Sequence, residues 1–198
     1  NNSYKVIDSE LKLTIDKEKI IFKDVFMALH GPPAENGELQ ILFEKQNINF
    51  TCCGSEISEL TFNKFKCNKV LKNLGFNIAK SILIKSENGT QEEILKQVDL
   101  PFIVKPNQAG SSNGLSLVKN LSELKKATSL AFKHDNEVII EEYIDGTEVS
   151  CGVFKVKEEI ILLPITEIIS ENEIFDYEAK YNNKSKEITP ARISKILT

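Results

Sequence analysis

PFIVKPNQAGSSNG, the stretch from Pro101 to Gly114, decides how the rest of this sequence is interpreted. A short apolar run ends at Lys105-Pro106, and a loop rich in glycine and serine follows it. The run predicts a buried strand and the loop a flexible hairpin tip. A lysine amine supplies a point charge, and the backbone N–H groups of such a loop bind phosphate oxygens. The stretch therefore predicts a nucleotide phosphate site, and because it matches neither GxxxxGK[ST] nor GxGxxG, the site belongs to another class.

Composition and charge are typical of an ordinary globular protein of one or two domains. The chain has 198 residues, of which 41% are hydrophobic and 27% charged, with a net charge of −4. This balance gives no reason to expect nucleic acid as a partner. No apolar run approaches the roughly 20 residues that span a bilayer, and no signal peptide is recognisable. We therefore expect a cytoplasmic protein without a membrane partner.

Cysteine and histidine usage predicts no metal centre. The sequence has four cysteines: Cys52, Cys53, Cys67 and Cys151. Their spacing is not that of metal ligands, and each has apolar neighbours, so we expect reduced thiols in the core. The two histidines, His30 and His134, are too few for a histidine-built metal site.

The first third of the chain predicts part of an open α/β domain. Alternating apolar residues around 16–19 predict a β-hairpin. The continuous apolar run 25–29 predicts a parallel strand buried on both faces. Helical spacing at 39–43 and a second strand at 48–53 follow. This β-loop-α-β order is typical of the second half of an open α/β domain.

The remaining chain predicts a second α/β region. Residues 62–74 predict a helix with Phe65, Val70, Leu71 and Leu74 facing inward, and Ser122 is the expected N-cap of a helix that runs to about His134. The other expectations are strands at 78–84, 102–105, 115–118 and 138–144, a short helix at 90–98, a hairpin of 149–156 with 160–169, a polar loop at 170–189 and a helix after 190.

Five motifs in this order resemble the D-alanine–D-alanine ligases of the ATP-grasp superfamily. They are HGPPAENG (30–37), LTFNKFKCNK (60–69), IVKPNQAGSSNG (103–114), VIIEEYIDGTE (138–148), and FDYEAKY with ITPA (175–191). The resemblance implies an α/β ATP-grasp fold preceded by part of an open α/β N-terminal domain. The expected divisions are a partial N-terminal domain at 1–59, the lysine-bearing ATP-grasp subdomain at 60–145, and the start of the C-terminal subdomain at 146–198.

The resemblance also implies an ATP site. Lys64 and Lys105 resemble the lysines that contact the phosphates, and two converging cations would offset the triphosphate charge. Lys180 resembles a third phosphate-contacting lysine. The other expected ATP contacts are Ser111 and Ser112 in the loop, Glu141, Glu142 and Ile144 at the adenine, and Glu148 at the ribose hydroxyls.

Catalytic and substrate residues follow from the same resemblance. Ser111 and Tyr181 resemble the serine and tyrosine whose hydroxyls join one hydrogen-bond network, and they are the expected catalytic residues. A tyrosine at this position favours D-alanine as second substrate over D-lactate. His30 and Glu35, on the loop after a parallel strand, are expected near the substrates.

The implied reaction is the ATP-dependent ligation of two D-alanines through an acyl phosphate, for peptidoglycan precursor synthesis. The implied partners are ATP, D-alanine and Mg²⁺, and a homodimer is the common family state. The sequence departs from the family at Ala34 and Asn36, which replace a glycine and an aspartate. The family's glycine-rich first strand and its C-terminal magnesium motif are not found, so we expect the metal ligands outside these residues.

Two alternatives remain open. One is a different ATP-grasp carboxylate–amine ligase, although FDYEAKY and HGPPAENG lie outside the shared nucleotide core and argue against it. The other is a truncated, non-catalytic nucleotide-binding remnant, since phosphate transfer without a metal site is not credible. The chain looks like the middle of a longer enzyme, and the 198-residue portion alone is expected to be inactive.

Overall fold

The computed structural model describes residues 13–15, 18–20, 22–85, 91–170, 174 and 185–194. The chain forms two compact units, residues 1–78 and residues 79–198. Within the described ranges, no helix has the length and apolar character needed to cross a bilayer.

The first unit contains a hairpin and a two-stranded parallel sheet. Strands β1 (Leu13–Ile15) and β2 (Glu18–Ile20) pair antiparallel, which agrees with the predicted hairpin. Strands β3 (Asp24–Val25) and β4 (Asn49–Phe50) pair in parallel, and helix α1 (Glu38–Lys45) lies between them in sequence. The prediction of a buried strand over 25–29 is wrong, because β3 ends at Val25 and Phe26 is 81% exposed.

The predicted helix over 62–74 is interrupted at Asn63. Helix α2 (Ser55–Phe62) ends there and helix α3 (Lys64–Asn73) begins, because Asn63 has extended backbone angles and its side chain accepts a hydrogen bond from the N–H of Lys66. Asparagine is a favoured N-cap because its oxygen satisfies one of the unpaired N–H groups of the first turn. The predicted inward face is also wrong in part, since Val70 and Leu74 are exposed.

The second unit is built on a four-stranded antiparallel sheet with the strand order β5-β8-β6-β7. Its strands are β5 (Ser81–Ile84), β6 (Phe102–Pro106), β7 (Ser116–Val118) and β8 (Val138–Glu142). Helices α4 (Gln91–Leu95) and α5 (Leu121–Ala131) complete the layer. Strands β6 and β7 form the hairpin whose tip is the glycine/serine loop.

One apolar cluster joins this sheet to its helices. Its members are almost fully buried aliphatic and aromatic side chains from the strands, from α4 and the turn after it, and from α5: Ile84, Ile94, Val98, Phe102, Val104, Val118, Leu124, Ala127, Ala131, Val138 and Ile140. Burial of this apolar surface is the main favourable contribution to the stability of the layer.

Helix α5 begins two residues earlier than the sequence predicts. Its N-cap is Asn120 and not Ser122. The Glu123 carboxylate accepts hydrogen bonds from the N–H groups of Lys119 (2.9 Å) and Asn120 (3.2 Å), which completes a capping box. These bonds hold the pKa of Glu123 below its usual value. Two N–H groups before the first turn are therefore satisfied by one side chain.

The rest of the second unit forms two smaller sheets. Strand β12 (Thr166–Ser170) pairs with β9 (Glu148–Ser150) and with β13 (Ser185–Ile188). Strands β10 (Val153–Val156) and β11 (Glu159–Leu162) form the predicted hairpin. The single expected hairpin of 149–169 is therefore two pairings. The expected loop at 170–189 contains β13, and residues 191–194 are not helical.

Three cysteines lie on the surface and none is fully buried. Cys52, Cys53 and Cys151 are exposed, and Cys67 is half-buried. All four are free thiols in the structure. The expectation of core cysteines is wrong: Cys52, Cys53 and Cys151 lie in or beside short strands and turns at the surface, and Cys67 lies on helix α3 outside the core.

Candidate functional site

The alternation of β6 places Lys105 opposite the core. Phe102, Val104 and Pro106 are buried on one face of the strand, so Ile103 and Lys105 point to the other. Successive side chains of a strand lie on opposite faces. The lysine at the end of the apolar run therefore points away from the core.

Lys105 forms an ion pair with Glu141 of β8. Lys105 is paired with Ile139 in the β6–β8 register and Ile103 with Glu141, so the lysine and the carboxylate are diagonal neighbours on one face. Long side chains can reach across this diagonal. The side chains of Lys105 and Glu141 are 20% and 14% exposed, so the pair is shielded from most of the solvent. Shielding strengthens the attraction relative to a surface pair.

A cleft of about 640 Å³ opens over this pair. Six of the residues predicted from the sequence line it: Lys105, Ser112, Glu141, Glu142, Ile144 and Glu148. Ser111 is not among the lining residues, so the loop presents Ser112 rather than Ser111 to the cleft. The volume is within the range of about 300–1,000 Å³ typical of small-molecule sites.

The glycine/serine loop is a tight turn with left-handed backbone. Ser111 and Ser112 both have φ of 54°, and the N–H of Asn113 donates to the carbonyl of Gly110 at 3.1 Å. Two consecutive positive φ values are those of a type I′ turn, which usually takes glycine or asparagine. Serines in this conformation are strained, and such strain is concentrated at functional sites.

The segment after β8 is fixed by backbone hydrogen bonds. The N–H of Glu142 donates to the carbonyl of Lys80, and the Glu142 carboxylate accepts from the N–H of Lys80, both at 2.9 Å. The N–H of Tyr143 donates to the carbonyl of Pro101. Ile144 follows and is 65% exposed, while Glu148 lies exposed on β9. These contacts define one edge of the cleft.

Glu167 is a cleft residue that sequence reasoning missed. It lies on β12 and is only 8% exposed. Arg192, the sole arginine of the sequence, donates to both carboxylate oxygens, from Nε to Oε2 at 2.9 Å and from a terminal nitrogen to Oε1 at 2.8 Å. The side-chain bonds from Arg192, followed by a bond from its backbone N–H, lower the pKa of Glu167 to about 2. An acid inside the apolar segment LLPITEIIS was the available signal, because such a group needs a partner.

Three predicted residues lie in the first unit. Lys64 is the half-buried first residue of α3. His30 is exposed, and its Nδ1 lies 3.7 Å from an Oε1 of Glu35, whose Oε2 accepts from the N–H of Gly31 at 2.8 Å.

Lys180 and Tyr181, together with the motif FDYEAKY, are outside the described residues.

The described residues contain no metal cage. Within those ranges, no three His, Cys, Asp or Glu side chains are grouped so that they could hold a metal ion. The cleft carboxylates are instead engaged by Lys105, by the N–H of Lys80 and by Arg192.

An antiparallel sheet with a lysine at one strand end, a glycine/serine hairpin tip and a carboxylate-lined cleft are features of the ATP-grasp class. Comparisons with known proteins agree with this class. The family model described as D-ala D-ala ligase C-terminus matches residues 70–197. The chain therefore belongs to the D-alanine–D-alanine ligase family, and the predicted α/β ATP-grasp fold is confirmed.

Individual relatives show the same similarity. The D-alanine–D-alanine ligase of Flavobacterium johnsoniae is 51% identical over 96% of this chain and 59% of its own length. That of Parabacteroides distasonis is 45% identical over 93% of this chain, again 59% of its own length. The crystal structure of the VanG D-Ala:D-Ser ligase from Enterococcus faecalis superposes with a TM-score of 0.81 at 38% identity, covering 90% of this chain and 53% of that one. The chain thus spans less than two thirds of the length of these relatives.

Proposed function

We propose that this chain is the ATP-binding portion of an enzyme that ligates two D-alanines at the expense of ATP, as a step of peptidoglycan precursor synthesis. The observation that carries the proposal is the shielded Lys105–Glu141 pair in a cleft of about 640 Å³. Membership of the family supports the substrate class, and the Ser111 and Tyr181 roles rest on the resemblance alone.

The carboxylate-rich end of the cleft fits a nucleoside. Carboxylates accept hydrogen bonds and do not donate them. An adenine amino group and two ribose hydroxyls are donors, so Glu141, Glu142 or the backbone toward Ile144 would suit adenine, and Glu148 would suit the ribose. The half-exposed apolar side chains of Ile103 and Ile168 also line this cleft and offer surface to a flat ring.

The loop end of the cleft fits phosphate. Lys105 supplies a cation, and Ser112 supplies a hydroxyl on a turn whose N–H groups are close to the cleft. Lys64 and Lys180 would add positive charge, as the resemblance implies. Mg²⁺, when bound, would neutralise phosphate charge, but the described residues do not form its ligand set.

In the proposed reaction, the γ-phosphoryl group of ATP goes to the carboxylate of one D-alanine, and the amine of the second D-alanine displaces phosphate. Catalysis of this kind depends on positioning and charge neutralisation. Closure of the loop would exclude the water that hydrolyses an acyl phosphate. His30 and Glu35 are the proposed substrate-side residues. The division into domains at 59/60 and 145/146, a homodimer and a cytoplasmic location complete the proposal.

The test is nucleotide binding and turnover by the full chain expressed from its own gene. We expect Lys105→Gln, which keeps a donor for Glu141 but removes the charge, to weaken ATP binding by about tenfold to a hundredfold. Lys96→Gln, an exposed lysine of the same unit, is the matched control and should change nothing. Phosphate release should require D-alanine and not L-alanine.

Second substrates separate the alternatives. D-Serine and D-lactate are offered with D-alanine, because one structural neighbour is a D-Ala:D-Ser ligase. Dependence on D-alanine alone supports the proposal. Phosphate release with an unrelated carboxylate and amine would instead favour a different ATP-grasp ligase, and ATP binding without any turnover would favour a non-catalytic remnant.

A further inference from the structure

The base of the glycine/serine loop is held by a turn that the proposed function does not use. This turn consists of residues 135–137 between α5 and β8, and we call it the 135–137 turn. The Asp135 Oδ2 accepts a hydrogen bond from the N–H of Gln108 at 2.6 Å. The N–H of Asn107 donates to the carbonyl of Glu137, and its Nδ2 donates to Glu137 Oε2, both at 2.9 Å. Three hydrogen bonds therefore fix the two residues where β6 becomes the loop.

The 135–137 turn is also held by contacts that do not involve the loop. Asp135 Oδ1 accepts from the N–H of Glu137 at 3.3 Å, so one carboxylate joins its own turn to the loop. The Glu137 carboxylate also binds the Lys85 amine at 2.8 Å, which raises the pKa of Lys85. Asn107 is fully buried, so its bonds to Glu137 are shielded from water. Charge-assisted bonds in a shielded position are stronger than neutral ones at the surface.

The other end of the loop packs on the same place. A Cβ added to Gly114 would lie 2.8 Å from His134 Cδ2, 3.0 Å from Pro106 Cγ and 3.3 Å from Ala131 Cα. Gly114 therefore packs against the end of α5 without room for a side chain. Both ends of the loop are fixed against the segment that runs from α5 into the 135–137 turn, and Ser111 and Ser112 lie between these two ends.

We propose that Asp135 and Glu137 are positioning residues, which clamp the base of the glycine/serine loop so that its tip meets the terminal phosphate of a bound nucleotide. The proposal rests on the proposed function, because it deepens the role of the same loop. A loop fixed in its binding geometry loses less entropy when the ligand arrives, and this gain is specific to the ligand group that the loop contacts. A clamped loop should thus discriminate ATP from ADP, which lacks only the terminal phosphate.

The test measures the dissociation constants of MgATP and MgADP by calorimetry with the full chain. Asp135→Ala removes both acceptor oxygens. We expect it to weaken ATP binding about tenfold, which is equivalent to the loss of about one charge-assisted hydrogen bond. ADP binding should change less than about threefold. Asp135→Asn keeps one oxygen that can accept from the N–H of Gln108. Its affinity for ATP should therefore lie between those of the unmodified chain and of Asp135→Ala. Glu158→Ala is the control, since Glu158 is an exposed acid on the β10–β11 turn.

Each outcome decides between the proposals. If the unmodified chain binds neither nucleotide, the proposed function fails and the clamp fails with it. If the unmodified chain binds ATP and Asp135→Ala binds it equally well, the clamp alone is overturned. Equal losses for ATP and ADP would also overturn it, because they would indicate a purely structural role. If Asp135→Ala does not fold, the isosteric Asp135→Asn decides through the same ratio of ATP to ADP affinity.

Discussion

Replacement of Gly114 by alanine should destabilise the second unit more than the same replacement at Gly146 or Gly152. Gly114 ends the glycine/serine loop with φ of +71°, a conformation that L residues avoid. An added Cβ would also lie 3.3 Å from the backbone Cα of Ala131 and 3.0 Å from the ring of Pro106. Neither atom belongs to the flexible end of a long side chain, so relief requires movement of the loop or of α5.

The magnitude follows from two contributions. The left-handed conformation costs an alanine about 1–2 kcal/mol. Overpacking against atoms that cannot move freely costs about 1–3 kcal/mol. Alanine also restricts the unfolded chain, which offsets about 0.4–1 kcal/mol. The expected net loss in the free energy of unfolding is about 1–4.5 kcal/mol, a substantial part of the stability of a small domain.

The assay is urea unfolding followed by far-ultraviolet circular dichroism, because the sequence has no tryptophan. Two glycines of the same unit are matched controls. Gly152 has no positive φ, and its added Cβ would meet only the Leu163 side chain, at 2.8 Å from Cδ1. Gly146 has no positive φ and nothing within 4 Å. If Gly114→Ala loses no more than Gly152→Ala, the backbone contribution is refuted. If it loses no more than Gly146→Ala, both contributions are refuted.

Two further changes test the charge pair on β12 and the cap of α5. The hydrogen bonds from Arg192 lower the pKa of Glu167 to about 2. The stability that Glu167 contributes is therefore present above its unfolded pKa and is lost as the pH falls from about 4.5 toward about 2. The difference in urea midpoint between the unmodified chain and Arg192→Met should therefore be largest near pH 6 and shrink toward about pH 2.5. A difference that stays constant with pH would contradict the low pKa assigned to Glu167. Asn120→Ala should lower the free energy of unfolding by about 1 kcal/mol, while Ser122→Ala should stay within about 0.5 kcal/mol, and equal losses would show that Asn120 is not the cap.

Local patterns in the sequence were sufficient for the centre of the site. The apolar run that ends at Lys105 predicted the buried strand, and the glycines and serines after it predicted the hairpin tip. Both features depend on neighbours within a few residues, so they could be predicted without knowledge of the fold. The five motifs then assigned the family, and its model matches residues 70–197.

Features that depend on distant partners were not predicted. Glu167 and Arg192 are 25 residues apart, and Arg192 is brought back to the carboxylate by the pairing of β12 with β13 and by the hydrogen bond from the N–H of Ala191 to the carbonyl of Ile165. The sequence predicted a continuous helix through Asn63 because apolar residues on both sides fit one helical period. Asparagine is a common N-cap, and Asn63 is the N-cap of α3 in the structure. The cysteines were expected in the core because apolar sequence neighbours do not establish burial in short strands and turns.

The described contacts explain how a cleft with several carboxylates could accept an anionic nucleotide. Each of three acids already has a specific donor inside the unit: Glu141 has Lys105, Glu142 has the N–H of Lys80, and Glu167 has Arg192. Lys105 and Arg192 therefore compensate the charges of Glu141 and Glu167, and all three carboxylates are oriented before a ligand arrives, which reduces the reorganisation needed on binding. Among these three donors, Lys105 is the cation that lines the cleft. A bound phosphate would therefore have to share the Lys105 amine with Glu141. In the proposed site, the affinity for phosphate would also depend on the donors that the loop adds, and the contacts at the base of the loop would position those donors.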